Sequence, residues 1–134
     1  MKLFSRKSRT AQRTSGLDDP QEMPEPQNSA EYLRRGYAYY ARGRFPEALA
    51  DFQRSIALDP DSVDAMYGLG MAQKASKLHD ESVKSFQQVL TLLNAGAVAD
   101  RIRADMLRRL ALGHINEITS GDWNLEKEIW RHVE

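Results

Sequence analysis

Much of the stretch between residues 32 and 60 of this chain returns after a shift of 34 positions. Under that shift Gly36 falls on Gly70, and Phe52 falls on Phe86. The stretch fits two helices of about 14 residues, because its apolar residues recur every three or four positions on either side of a tight turn. A helical hairpin that recurs at a short fixed period predicts a solenoid, in which each unit buries its apolar face by stacking on its neighbour.

The residues that define the two units form a recognisable pattern. The first unit has Tyr32, Gly36, Tyr39, Ala48, Phe52 and Pro60, and the second has Met66, Leu69, Gly70, Gln73, Ser82, Phe86 and Asn94. A large aromatic, then Leu-Gly, Tyr, Ala, Phe and Pro over about 34 residues is the pattern of the tetratricopeptide repeat, which both units resemble. The first unit departs from it at Arg35, where leucine is usual. The resemblance covers residues 29–94 well and residues 98–134 poorly.

The resemblance implies an all-α fold, a short right-handed α-solenoid of antiparallel helical hairpins. The helical domain is predicted to span residues 28–134. It contains two clear repeats, at about 29–62 and 63–96, and a degenerate third or capping hairpin at 98–134.

The third hairpin is predicted from a second copy of the first turn. The turn around Gly121 resembles the one around Gly43, and the 78 residues between them equal two repeats plus ten. We therefore expect an insertion near 94–104, one longer helix over about 100–119 and a final helix over about 122–133. One side of the longer helix carries Ile102, Met106, Leu110 and Gly113. Because a solenoid needs an end that hides its last apolar face, the final helix is interpreted as a cap.

Particular residues are expected to begin and end the helices. Asn28 is a good N-cap, Gly43 suits a left-handed turn, and Pro46 suits the start of the second helix. Lys77 stands where the first unit has Gly43, so that turn must find another geometry or strain Lys77. The buried stripes of the two second helices are predicted to be Phe45, Ala48, Leu49, Phe52, Ile56 and Leu58, and Leu78, Val83, Phe86, Val89, Leu90 and Leu93.

Composition narrows the setting of the chain. Lys+Arg and Asp+Glu both number 19, so net charge gives no reason to expect nucleic acid as a partner. There is no cysteine, no run approaches the length of a membrane span, and no secretory signal opens the chain, so a cytoplasmic protein is expected. Residues 1–27 are predicted to be a disordered tail. Its basic start could touch an anionic surface, although a solvated leader is the simpler interpretation.

No motif for catalysis, for a metal or for a cofactor is found in the sequence, so we expect none of these functions. His114 and Glu117 are three residues apart on the long helix and could share a ligand. A pair of such residues does not complete a metal shell, so a surface or half-buried pair is the favoured interpretation.

The resemblance implies that the first helices of successive units line a concave groove. The residues that would face it are Leu33, Tyr37 and Tyr40 in the first unit, Asp64, Tyr67, Met71 and Lys74 in the second, and Arg108, Ala111, Ile115 and Ile118 in the third. Such a groove would be mainly apolar and rich in tyrosine, with a charged rim. The alternative is that Tyr37, Tyr40 and Tyr67 pack on the third hairpin or on the chain's own tail.

The predicted function is that of a protein–protein interaction module or assembly scaffold. One branch of the resembled family grips acidic peptide ends with lysine and asparagine, but here those positions hold Leu33, Tyr37 and Gly68, so no such clamp is expected. An apolar helix or an extended peptide is the expected guest. The alternatives are a self-associating protomer whose groove or open end is filled by another copy, and an accessory that positions an enzyme.

Overall fold

The computed structural model describes residues 19–123, which form five α-helices joined by short turns, with no strand in that range. The helices are α1 (Ser29–Ala41), α2 (Phe45–Leu58), α3 (Val63–Ala75), α4 (His79–Asn94) and α5 (Arg101–Ser120). The all-α prediction is confirmed, as is the longer helix of the third unit. The predicted final helix lies outside the described residues, apart from its first two positions.

Side chains cap the helices whose starts are open to solvent. The Asn28 side chain accepts a hydrogen bond from the backbone N–H of Glu31 at 2.9 Å, and Ser62 Oγ accepts one from that of Ala65 at 3.2 Å. Asp100 Oδ1 accepts two such bonds at the start of α5. These bonds satisfy N–H groups that have no partner inside the helix, which is why Asn, Ser and Asp mark the starts.

The turn after the first helix of each unit passes through the left-handed region of the backbone. Gly43 has φ +73°, Lys77 has φ +65° and Gly121 has φ +85°. Glycine adopts this conformation freely, whereas a side chain at the Cβ position crowds the backbone. The turn of the second unit therefore keeps the geometry of the first, and Lys77 is strained, one of the two outcomes expected from the sequence.

Replacing Lys77 by glycine is expected to stabilise the protein by about 1 kcal/mol, because the left-handed penalty disappears. The reciprocal change Gly43→Lys, at the equivalent position, should cost about the same, since a Cβ at Gly43 meets no atom within 4 Å and only the backbone is affected. Urea unfolding of both variants measures the two free energies. A loss of stability in Lys77→Gly would mean that the lysine side chain matters more than its backbone strain.

Consecutive helices pack side by side, α1 with α2, α2 with α3, α3 with α4 and α4 with α5, and α1 also contacts α3. Two apolar clusters result, one around Phe52 and one around Phe86, both of which are fully buried. The Phe52 ring lies against bare backbone on two sides. A Cβ added to Gly36 or to Gly68 would stand 2.8 or 2.6 Å from Phe52 Cε1. The expected close approach at Gly36 is thus confirmed, and Gly68 provides a second one from the next unit.

Each hairpin also carries a buried polar contact at the same place on its second helix. In the first unit Asp51 accepts two hydrogen bonds from Arg35, at 2.7 and 2.9 Å. Position 85, which is 34 residues after position 51, is Ser85, and its hydroxyl donates to Gln73 Oε1 at 2.6 Å. The site is polar in both units, and each unit satisfies it with a different partner, as buried polar groups require.

Two residues of the predicted buried stripes are exposed instead. Leu58 is 59% exposed and Leu78 is 40% exposed. Leu58 is the last residue of α2 and Leu78 precedes α4, so both lie where the chain leaves the packed hairpin. The periodic pattern was extended one position too far at each of these ends.

Residues 19–27 differ from the disordered tail predicted for residues 1–27. They include a turn closed by a hydrogen bond from the Glu22 N–H to the Asp19 carbonyl at 2.9 Å, and both Pro20 and Pro26 are buried. Glu25 lies 3.6 Å from the Arg35 guanidinium. The first 18 residues lie outside the described residues, so the prediction of disorder stands for them as a prediction.

Candidate functional site

A surface cavity of about 480 Å³ opens where α1, α3 and α5 end. It is lined by Tyr40, Met71, Lys74, Ala75, Lys77, His79, Glu117 and Ile118. The fold creates this cavity because the first helices of three successive units end on the same side of the molecule. Three residues predicted to face the groove, Tyr40, Met71 and Lys74, are brought together here.

The apolar part of the cavity is formed by half-buried side chains. Tyr40 lies with its ring centroid 5.5 Å from that of Phe45, at an angle of 57°. Met71 packs against the cluster around Phe86, as does Ile118 from the third unit. These side chains are supported from behind by the core, so the cavity walls are held in place while part of each residue reaches solvent.

Lys74 forms the charged side of the cavity. Its Nζ donates a hydrogen bond to Glu117 Oε1 and lies 3.0 Å from His114 Nδ1. The hydrogen bond from Lys74 lowers the pKa of the Glu117 carboxyl below its usual range. The three residues join the second unit to the third, because Lys74 belongs to α3 and both of its partners belong to α5.

The contact with Lys74 determines which nitrogen of His114 carries the proton. An ammonium group only donates, so Nδ1 must accept, and the neutral ring then carries its proton on Nε2. That N–H donates to the Tyr67 hydroxyl, 3.0 Å away. Because both ring nitrogens are engaged, the ligand that His114 and Glu117 might have shared has no free imidazole nitrogen to bind. Among residues 19–123 no cluster of three potential metal ligands is found.

The protonation of His114 predicts a pH dependence of stability. Burial, with the nearby Lys74 charge, lowers the pKa of His114 from 6.5 to about 4. Between these values the unfolded chain binds a proton that the folded protein does not, so stability is lost as the pH falls. We expect a loss of about 1 kcal/mol between pH 7 and pH 5, after allowance for solvent screening.

The measurement is urea unfolding at pH 7 and at pH 5, with His114→Gln as the control. Glutamine cannot titrate, so the variant should lose most of the difference between the two pH values, whatever its stability at pH 7. An unchanged pH difference in His114→Gln would show that another group is responsible.

Tyr37 and Tyr67, the two other predicted groove tyrosines, lie between units. Tyr37 donates a hydrogen bond to the Asp64 carbonyl at 2.8 Å, and its ring packs edge-on to Phe52 at 4.8 Å between centroids. Tyr67 packs edge-on to Phe86 at 5.6 Å. Burial raises the pKa of both phenols. Each ring therefore helps to hold successive units together, and Tyr67 contacts the third unit as in the alternative interpretation.

The remaining predicted groove residues are placed as follows. Leu33 and Ile115 are half-buried against the two clusters, and Ala111 is fully buried, so the expectation that Ala111 faces the groove is wrong. Its small side chain lies at the α4–α5 contact. Arg108 pairs with Asp105 of its own helix at 2.9 Å, and Asp64 forms an ion pair with Arg103.

The sequence analysis missed three residues that line the cavity: Ala75, Lys77 and His79. Ala75 and Lys77 follow the last predicted groove residue of α3, and His79 opens α4. The resemblance directed attention to the faces of the first helices, whereas the cavity includes the turn that follows α3. The substitution of glycine by Lys77 in that turn was the available signal.

Consecutive antiparallel helix pairs, with a shared cavity at the ends of their first helices, define a helical-repeat protein. Family models agree: one described as "TPR repeat" matches residues 36–76, and one described as "Tetratricopeptide repeat" matches residues 64–92. The chain belongs to the tetratricopeptide-repeat family. Repeats of this family generally mediate protein–protein interactions and are typically non-catalytic scaffolds.

A curated relative extends the comparison. The chain is 33% identical over 55 residues to Tetratricopeptide repeat protein 37 of Xenopus laevis. The match covers 41% of this chain and 4% of that protein, so the similarity is one of repeats and not of whole proteins. Within residues 19–123, none of the helices has the length and apolar character needed to cross a membrane.

Proposed function

We propose that the chain is an interaction module that holds a partner polypeptide at the cavity beside Tyr40, Met71 and Ile118. The observation that carries the proposal is the cavity itself, which all three units help to form. Its volume of about 480 Å³ is in the range of protein sites that enclose a ligand. The role needs no chemistry from this chain, and its proposed setting is the cytoplasm.

The chemistry of the cavity supports an apolar guest with polar flanks. Tyr40, Met71 and Ile118 offer a surface that adapts to aliphatic or aromatic side chains, because methionine and tyrosine make broad contacts. Lys77 and His79 are exposed beside it and can hydrogen-bond to backbone carbonyls of the guest. The proposed partner is therefore an apolar helix face or an extended peptide that inserts one or two apolar side chains.

The experiment is a selection of peptides from a displayed random library on the immobilised protein, followed by affinity measurement on the enriched sequences. The test variant is Ala75→Arg, which fills the cavity and removes no core atoms. The matched control is Ala57→Arg, near the end of α2, where the alanine is exposed and outside the cavity. We expect Ala75→Arg to weaken binding by at least roughly tenfold and Ala57→Arg to leave it unchanged.

Two results would contradict the proposal. One is a library that yields no enriched sequence, and the other is an equal loss of affinity in the two arginine variants. The alternative, a self-associating protomer with a second copy in its groove or at its open end, is tested by light scattering over a concentration series. A mass that rises with concentration and is reduced by Ala75→Arg would favour that alternative.

A further inference from the structure

One face of α5 is apolar and has no neighbour among the described residues. The face formed by Ile102, Met106 and Leu110, called here the α5 outer face, lies opposite the side that packs on α4. Ile102 is 83% exposed and Met106 is 54% exposed. With Trp123, these residues line an open cavity of about 480 Å³. Exposed apolar side chains gathered in one place mark a surface that something covers.

The chain itself is led to this face by Trp123. Gly121 turns the backbone with φ +85°, and the Trp123 ring then lies on Gly113, where an added Cβ would stand 1.9 Å from the indole. Asn116 Nδ2 donates to the Trp123 carbonyl at 3.1 Å, and the ring meets His114 edge-on at 4.8 Å. The contacts with Gly113 and Asn116 lie well before the end of α5, so the chain has already turned back along the helix.

The eleven residues that follow, 124–134, have the composition needed to cover the face. Leu125, Ile129, Trp130 and Val133 recur at a helical spacing, and the charged Lys127 and Arg131 fall on the opposite side. Met106 is seven residues before Gly113, which is about 10 Å along α5. A helix that starts after Trp123 covers the same distance in seven residues and reaches Trp130.

We propose that residues 124–134 lie antiparallel on the α5 outer face as an amphipathic helix and cover Ile102, Met106 and Leu110. The rim of the face carries Asp105 and Arg109, and the segment carries charges of both signs, so neither surface repels the other. The chain's own segment is favoured over a second copy or another protein because Trp123 holds its start at the edge of the cavity. An attached segment has a high effective concentration, which a separate molecule lacks.

The test uses disulfide formation in the full chain, which contains no native cysteine to give a background. Met106→Cys is combined with Ile129→Cys in one protein and with Arg131→Cys in another. The two partner positions are two residues apart, and on a helix they face opposite sides. We expect the 106–129 pair to form an intramolecular disulfide at least about ten times faster under mild oxidation, because a disulfide needs Cα atoms within about 7 Å.

Each outcome is decided on a non-reducing gel and by mass. A fast intramolecular disulfide in the Ile129→Cys protein alone supports the proposal. A disulfide-linked dimer identifies a second copy as the occupant, equal rates in the two proteins contradict a helix with a defined face, and no disulfide in either shows that the face is uncovered. All three of these results overturn the proposal.

A double-mutant cycle tests the same contact without cysteine. Ile102→Ser and Val133→Ser should each lower the thermal midpoint by roughly 5 °C, and the combined variant should fall by less than the sum. Lys127→Ser is the control for Val133→Ser and should be additive with Ile102→Ser. Additivity of Ile102→Ser with Val133→Ser would overturn the proposal even if the cysteine variants failed to fold.

Discussion

Replacing Arg35 by leucine is expected to lower the free energy of unfolding by about 3–5 kcal/mol, although leucine is the usual residue at this position of the repeat. Arg35 donates from Nε and Nη2 to the two carboxylate oxygens of Asp51, which is only 2% exposed. The hydrogen bonds to Asp51 raise the pKa of the Arg35 guanidinium above its usual range. Without Arg35, Asp51 would be a buried carboxylate with no counter-charge.

The cost belongs to the orphaned carboxylate and not to the loss of arginine packing. Arg35→Leu combined with Asp51→Ala should therefore recover at least half of the lost stability, because an apolar pair can replace a buried ion pair at little cost. Arg54→Leu is a suitable control, since Arg54 is exposed and contacts the same Tyr32 ring as Arg35. It should change stability by less than about 0.5 kcal/mol.

Urea unfolding of the two single variants, the double variant and the control completes the cycle. A double variant as unstable as Arg35→Leu would contradict the explanation, since the removal of Asp51 would then bring no relief. A control as costly as Arg35→Leu would shift the explanation to the arginine–tyrosine contacts.

This ion pair shows where sequence reasoning stops. Arg35 stood out as a departure from the repeat pattern, and its helix and its turn were predicted from periodicity and punctuation. Asp51 was not recognised as its partner, because the two residues are 16 positions apart and meet only in the particular register of the α1–α2 hairpin. Periodicity predicts which side of a helix is buried, but it does not predict which polar groups meet across the contact.

The candidate site shows a similar division. The resemblance predicted the face of each first helix correctly enough to bring Tyr40, Met71 and Lys74 to one cavity. It did not predict depth. Tyr37 and Tyr67 were assigned to an open groove, but a ring on a half-exposed face reaches the neighbouring helix, where Asp64 and His114 accept contact with their hydroxyls. Side-chain length and the spacing between units decide that outcome, and neither is readable from one sequence.

The contact between Phe52 and Gly68 predicts a change of sign. In the native background Gly68→Ala should destabilise the protein by about 1–3 kcal/mol, because the new Cβ would lie 2.6 Å from Phe52 Cε1 in a packed core. This loss outweighs the gain of about 1 kcal/mol that alanine normally brings to a helix. Phe52→Ala alone should cost about 3–5 kcal/mol, because it leaves a cavity between Gly36 and Gly68.

Once the ring is gone, the same Gly68→Ala change should become stabilising by roughly 1 kcal/mol, since only the helix preference remains. Unfolding of both single variants and the double variant measures the coupling, and Ala57→Gly on the exposed side of α2 reports the preference alone. If Phe52→Ala is too unstable, Phe52→Leu gives a smaller change in the same direction. A Gly68→Ala effect that is equal in both backgrounds would mean that the ring and the glycine do not determine each other, and that the two units are held together by other contacts.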